Sequence, residues 1–250
     1  MHRYQILIEY VGTNFVGWQI QSKGKSVQKL IQTKLSKLLK EKIFLIGSGR
    51  TDAGVHALDY YFNCKVNHEL SFSILHKLNH LCSSDIAFKN LWRVPDDFSA
   101  RFDALERSYI YHINTKKNPL NQDFSLWHSL KLNVKEMNKA CERLLGRQDF
   151  ECFSKAKTEV NNFFCNITHA QFTQNDDEIV FTITANRFLR NMVRAIVGSL
   201  LDIGTGKNNA EHIKTIIASK KRNMAGRSVA AKALFLSEIK YDKTQWLKIK

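Results

Sequence analysis

Two α/β units of similar layout are what this 250-residue sequence predicts, and three observations predict them. Stretches whose apolar residues recur every second position alternate along the chain with stretches whose apolar residues recur every third or fourth. The length suits one large core or two smaller ones, because a single core stops growing near about 250–300 residues. Hydrophobic residues make up 44% and charged residues 24%, the usage of a chain that folds by itself.

The elements follow in order. Tyr4, Ile6, Ile8 and Tyr10 alternate with Gln5, Leu7 and Glu9, which predicts a strand running into a loop between Gly12 and Gly17. Ser26 then caps a helix with Val27, Leu30, Ile31, Leu35, Leu38 and Leu39 on one stripe and Lys29, Lys34, Lys37 and Lys40 outside it. A short strand is expected at Ile43–Ile46, ended by Gly47 and Gly49, so Arg50–Val55 falls on a loop before a strand near Leu58–Val66. A helix at Ser73–Leu81, a strand near Ala87–Val94 and a turn at Pro95-Asp96-Asp97 complete the first unit. We place the domain boundary near Asp103, giving units 1–103 and 104–250. The second begins with a strand at Ser108–Asn114 and a helix at Val134–Leu145, followed by a hairpin of Ile167–Thr173 and Ile179–Thr184 across Asn175-Asp176-Asp177. Phe188, Met192, Ile196 and Leu200, with Leu189, Val193, Val197 and Leu201, predict a broad apolar helical face, and Arg187, Arg190 and Arg194 fall together on another. A helix near Ala210–Ser219 and a strand at Leu234–Tyr241 close the chain.

Lys and Arg number 38 against 23 Asp and Glu, a net charge of +15. Self-repulsion of that size implies a polyanionic partner. The basic residues are spread along the chain rather than gathered into one membrane-proximal block, which favours nucleic acid over an acidic membrane. The start lacks an apolar run, and Ala195–Leu201 is too short to span a bilayer, so a cytoplasmic location without membrane attachment is expected. The five cysteines, Cys64, Cys82, Cys141, Cys152 and Cys165, are odd in number, widely spaced and without a C-x-x-C pair. They read as reduced thiols and indicate neither a disulfide framework nor a zinc site.

The most unusual segment is Gly49-Arg50-Thr51-Asp52-Ala53-Gly54-Val55-His56-Ala57, where a carboxylate and a guanidinium stand two residues apart between glycines. Two readings stay open on residue types alone. Asp52 caps its own turn, or it is presented to a pocket in the ionised, nucleophilic form that Arg50 favours. His56, a single histidine among small and apolar residues, reads as structural. Phe15 and Trp18 suit either base stacking or packing beneath the loop. The arginines at 187, 190 and 194 suit a solvated flank as well as a functional face.

The string from Gly49 to Ala57 resembles, at every position, the catalytic loop of the tRNA pseudouridine synthase A family. The resemblance extends to Tyr10–Gln21, Ser26-Val27-Gln28, Val94–Phe102, Arg107–Tyr111 and Phe188–Arg194, so it covers nearly the whole chain. It implies two similar domains, each a mixed, mostly antiparallel sheet with helices on one side and the active-site cleft between them. It further implies conversion of uridine to pseudouridine at positions 38–40 of tRNA, by a homodimer and without cofactor or metal. Asp52 carries over as the nucleophile, Arg50 as its charge partner, Tyr109 as the aromatic contact to the target base, and Arg194 as a second active-site arginine. An ionised aspartate attacks either the sugar or the base, and an aromatic ring suits a base lifted out of its stack. The sequence departs from the family pattern at Val11, where an acidic residue is usual, and at Gln148, where a histidine is common. It departs again at Val229–Leu234, which lacks the A-P-A-x-G-L pattern. These bear on substrate range rather than on the nucleophile. A catalytically silent tRNA-binding or RNA-folding protein on the same scaffold is the competing reading, equally served by the charge.

Overall fold

A computed structural model describes residues 1–155 and 162–249 of the chain. The described residues form two compact units, one of residues 1–105 together with 236–250 and one of residues 106–235. The last strand therefore belongs with the first unit. Its residue Tyr241 packs against Phe98, ring centroids 5.7 Å apart, and donates its hydroxyl to Ala100 O at 2.6 Å.

The first unit is built on β1 (His2–Tyr10), α1 (Val27–Leu39), β2 (Leu45–Gly47), β3 (His56–Val66), α2 (Ser73–Leu81) and β4 (Ile86–Val94). β1 lies between β3 and β4, antiparallel to both, and its register sets Ile6 beside Phe62 on one flank and Leu91 on the other. β2 adds antiparallel to β3. The period-two pattern read in β1 is borne out by burial, with Tyr4, Ile6, Ile8 and Tyr10 all in the core. Ser26 caps α1 by accepting from Lys29 N, and Val27, Ile31 and Leu35 are its buried stripe. Gln5 is buried on the opposite face of β1, an exception to the alternation, because that face is also covered. There Tyr61, Trp92, Phe98, Tyr241 and Trp246 form an aromatic cluster, with the Lys243 ammonium 5.4 Å from the Tyr61 and Trp246 rings. Desolvation holds the Tyr61 hydroxyl up at about 12.

The second unit contains β5 (Ala104–Asn114, from Glu106 onward), β6 (Leu126–Trp127), α3 (Val134–Glu142), β7 (Gly146–Asp149), β8 (Phe164–Asn175), β9 (Glu178–Ala185), α4 (Met192–Gly204) and α5 (His212–Ser219). Its strands run in the order β5-β9-β8-β7, all antiparallel, and the short β6 pairs parallel with β5, which makes the sheet mixed. The expected hairpin is present, turning at Asp176 with φ 49°. The chain continues through β10 (Leu234–Tyr241) and β11 (Leu247–Lys248), the latter antiparallel to β4 in the first unit. Mostly antiparallel sheets with helices are thus found, as expected, and the parallel pairing of β5 with β6 lies in the second unit.

α4 is the core helix of the second unit, with all but Arg194 and Asp202 of its residues buried. It starts at Met192 rather than at Phe188. Asn191 is left-handed (φ 66°) and its amide donates to Ser228 Oγ at 2.5 Å, so the chain turns there before the helix begins. The apolar spacing carried the expectation too far back because Leu189, in that turn, is itself buried. Of the three arginines expected on one helical face, only Arg194 is on the helix. No helix among the described residues is long and apolar enough to cross a membrane.

Candidate active site

The Asp52 loop connects β2 to β3 and is held from below by the loop that follows β1. Trp18 N donates to Thr51 O (3.3 Å), Gly54 N donates to Phe15 O (3.3 Å), and Val55 N closes a turn on Asp52 O (3.2 Å). Side chains add three further ties. Gly12 N donates to His56 Nδ1 (3.1 Å), the Tyr10 hydroxyl lies 2.8 Å from Thr51 Oγ1, and the Tyr60 hydroxyl donates to Gly49 O at 2.5 Å. Each bond to a backbone group of this loop removes freedom that an irregular segment otherwise keeps.

Small residues make that approach feasible. Gly12 sits against Val55 O, and a Cβ there would fall inside van der Waals contact of the carbonyl. Gly17 has φ +102° and a Cβ on it would press on Thr51 O and lie 3.2 Å from the Asp52 carbonyl carbon. Beneath them Phe15 and Trp18 are each 3% exposed, with Trp18 4.2 Å from Tyr60 and 6.0 Å from Phe62 between ring centroids. Both rings pack under the loop, which decides between the two uses the sequence left open. His56, 1% exposed, accepts through Nδ1, so that nitrogen carries a lone pair committed to the Gly12 amide. Burial and the neighbouring Tyr10 raise the Tyr60 hydroxyl well above its ordinary value, which keeps it a neutral donor to Gly49 O. On this support Asp52 is half-buried and Arg50 exposed, two residues apart on the same loop.

In the second unit Tyr109 stands half-buried on β5 opposite Ile183, with its ring edge-on to Phe188 (5.2 Å, 89°). Tyr111 is two residues along the same face, about 7 Å away at strand spacing, and its hydroxyl donates to Ala230 O at 3.0 Å. Burial pushes that hydroxyl's pKa up, opposed by the Arg194 charge. Arg194 Nε donates to Val229 O at 2.7 Å, and Val229 N returns a bond to Arg194 O at 3.2 Å. Tyr111 and the 229–230 backbone thereby tie β5, the strand that carries Tyr109, to Arg194 of α4, while Asp52 and Arg50 share a loop of the first unit.

The segment before β10 is the part of the site that sequence reading missed. Arg222 donates to Ala225 O, Gly226 O and Ser228 Oγ, and Gly226 N donates to Ser199 Oγ, so residues 222–229 are laced to α4. The departure from the family pattern at Val229–Leu234 leaves the hold on Arg194 intact, because both bonds use the main chain of Val229. Gln148 likewise has a local role, its amide donating to Arg143 O and Leu145 O after α3. The signal for this segment was Arg222 itself, the last of a Lys-Lys-Arg run shortly before Ala225-Gly226. Desolvation holds the buried thiols of Cys64, Cys141 and Cys152 up at about 12 and that of Cys165 at about 11, which leaves them protonated and poor nucleophiles.

A well-supported aspartate on an irregular loop thus stands in a chain whose net charge of +15 suits a polyanionic partner. Comparison with known sequences supplies the class: the family model described as tRNA pseudouridine synthase matches residues 6–103 and 140–242, and the chain belongs to that family. It is 43% identical over 243 residues to the tRNA pseudouridine synthase A of Parabacteroides distasonis, covering 96% of each chain. It is 42% identical to that of Bacteroides thetaiotaomicron, covering 96% of this chain and 91% of the relative. Against that of Pelagibacter ubique it is 40% identical, covering 96% of this chain and all of the relative.

Proposed function

We propose that this protein isomerises uridine to pseudouridine in the anticodon arm of tRNA, at positions 38–40, with Asp52 as the nucleophile. In the reaction the bond from C1′ to N1 of the base breaks and a bond from C1′ to C5 forms. The C5 proton leaves and N1 gains one, so nothing is oxidised and no cofactor enters the balance. Asp52 attacks as the carboxylate, with Arg50 two residues away on the same loop. Tyr109 supplies an aromatic face to the extruded base, and Arg194 a fixed cation to the charge that develops during the step. The working form is a homodimer in the cytoplasm that grips one tRNA.

The observation that carries this reading is the support of the Asp52 loop. Six hydrogen bonds or short polar contacts, together with the buried side chains of Thr51, Val55 and His56, hold the segment, and a turn serving only to connect two strands does not need them. The test is release of hydrogen from C5. With tRNA tritiated at uridine C5, the protein should release label to water and leave pseudouridine at the mapped positions. Tight tRNA binding with no release would mean an RNA-binding protein on the same scaffold.

A further inference from the structure

We propose that Phe102, presented on a braced turn with the Arg101 guanidinium against its ring, is a stacking platform for an unpaired base of the RNA substrate. The turn that links β4 to β5 carries two phenylalanines with opposite fates. Phe98 is 8% exposed and lies among Tyr241 and Trp246, with centroids 5.7 and 5.5 Å away. Phe102, four residues on, is 77% exposed. An isolated apolar side chain at the surface is ordinary. What distinguishes Phe102 is that the backbone beneath it is immobilised.

The bracing is specific. Phe98 N donates to Pro95 O at 3.1 Å, and Phe98 O accepts from the Arg3 guanidinium. Ser99 N donates to the Asp103 carboxylate at 2.6 Å, Asp103 N donates to Ser99 O at 3.0 Å, and Phe102 N donates to Ser99 Oγ at 3.4 Å. Ala100 is fully buried, its N–H donating to Asn63 Oδ1 at 2.8 Å and its carbonyl accepting from Tyr241 at 2.6 Å. A mobile loop tip would let the ring fold back onto apolar surface. This one holds it out, and a ring fixed in advance loses little entropy when a planar partner settles on it.

The Arg101 guanidinium carbon lies 5.2 Å from the ring centroid. A cation beside an aromatic face suits a nucleotide, whose base takes the ring and whose phosphate takes the charge. Every base has a π-face, so the contact adds affinity without reading sequence, and it requires a base that is not paired in a helix. The inference rests on the reading of the chain as an enzyme of tRNA.

Binding isotherms with substrate tRNA at several salt concentrations, run on the wild type, Phe102→Ala, Phe102→Leu and Phe102→Trp, test it. Loss of one stacked base should weaken binding about tenfold in Phe102→Ala and Phe102→Leu. Phe102→Trp should bind as the wild type does, with its added indole fluorescence quenched by RNA. The dependence of log K on log salt should keep the same slope in all four, because no phosphate contact is removed. Equal affinity of Phe102→Ala and wild type would overturn this inference alone, as would a shallower salt slope. So would a change of sedimentation coefficient in Phe102→Ala without RNA, which would assign the ring to an interface between copies. Wild-type protein with no affinity for tRNA would overturn the functional reading and this inference together.

Discussion

Replacing Gly17 by alanine should disable the Asp52 loop without touching any residue proposed to act on the substrate. At φ +102° an alanine is strained, at a cost of roughly 1–2 kcal/mol. Its Cβ would press on Thr51 O and approach the Asp52 carbonyl carbon to 3.2 Å and Ala53 N to 3.3 Å. These are backbone atoms that cannot rotate away, and such overpacking costs about 1–3 kcal/mol. Together the two give a loss near about 3 kcal/mol, which lowers Tm by roughly 6–12 °C in a chain of this size. Relief comes by pushing the loop outward, and displacement by about 1 Å at a reacting group costs on the order of 100-fold in turnover. Gly49→Ala is the control on the same loop, since a Cβ there meets nothing within 4 Å. It should cost less than about 1 kcal/mol and leave turnover within a few-fold. The assays are thermal melting, tRNA binding and pseudouridine formation under single-turnover conditions. Wild-type turnover in Gly17→Ala, or equal losses in the two variants, would refute the claim that the 12–18 loop positions Asp52.

Tyr109→Phe should retain most activity, whereas Tyr109→Leu removes the ring that meets Phe188 edge-on and should cost about 1 kcal/mol of stability and at least tenfold in turnover; equal activity in both would make Tyr109 a packing residue only. Arg194→Ala should lower kcat about 100-fold while changing tRNA affinity less than about threefold, since one cation among many contributes little to binding. A loss of affinity that accounts for the whole loss of activity would place Arg194 among the phosphate contacts. The raised thiols predict an alkaline decline in stability. The unfolded chain releases thiol protons near 9 while folded Cys64, Cys141 and Cys152 hold theirs to about 12, so this contribution is complete below pH 9 and is lost as pH rises from there. A Tm that stays level from pH 8 to 10.5 would contradict it.

Local chemistry was legible where one element carried its own signals. Ser26 and the stripe from Val27 announced α1, and the alternation from Tyr4 to Tyr10 announced β1. The short strands Leu126–Trp127, Gly146–Asp149 and Leu247–Lys248 were missed because two to four residues carry no period, and partners elsewhere in the chain define them. Leu234–Tyr241 was read as a strand, but its packing with the first unit depends on Ala100 and Phe98, which lie about 140 residues earlier. The candidate site shows the same division. The string around Asp52 was recognisable by resemblance, while its support is main-chain hydrogen bonding to Phe15 and Trp18, which residue types do not encode. The clamp on Arg194 is likewise made by the backbone of Val229, so it persists where the side-chain pattern departs from that of the family.

The most direct test of the account is Asp52→Asn, which keeps the size of the side chain and removes its charge and nucleophilicity. One preparation should be taken through a melting curve, a tRNA-binding isotherm and the C5 hydrogen-release assay. The account predicts a Tm close to wild type, because the loop is held by neighbouring backbone groups, affinity for tRNA equal to or slightly above wild type, because a negative charge has left a basic surface, and no pseudouridine. A folded, tRNA-binding Asp52→Asn protein that forms pseudouridine at the wild-type rate would contradict it.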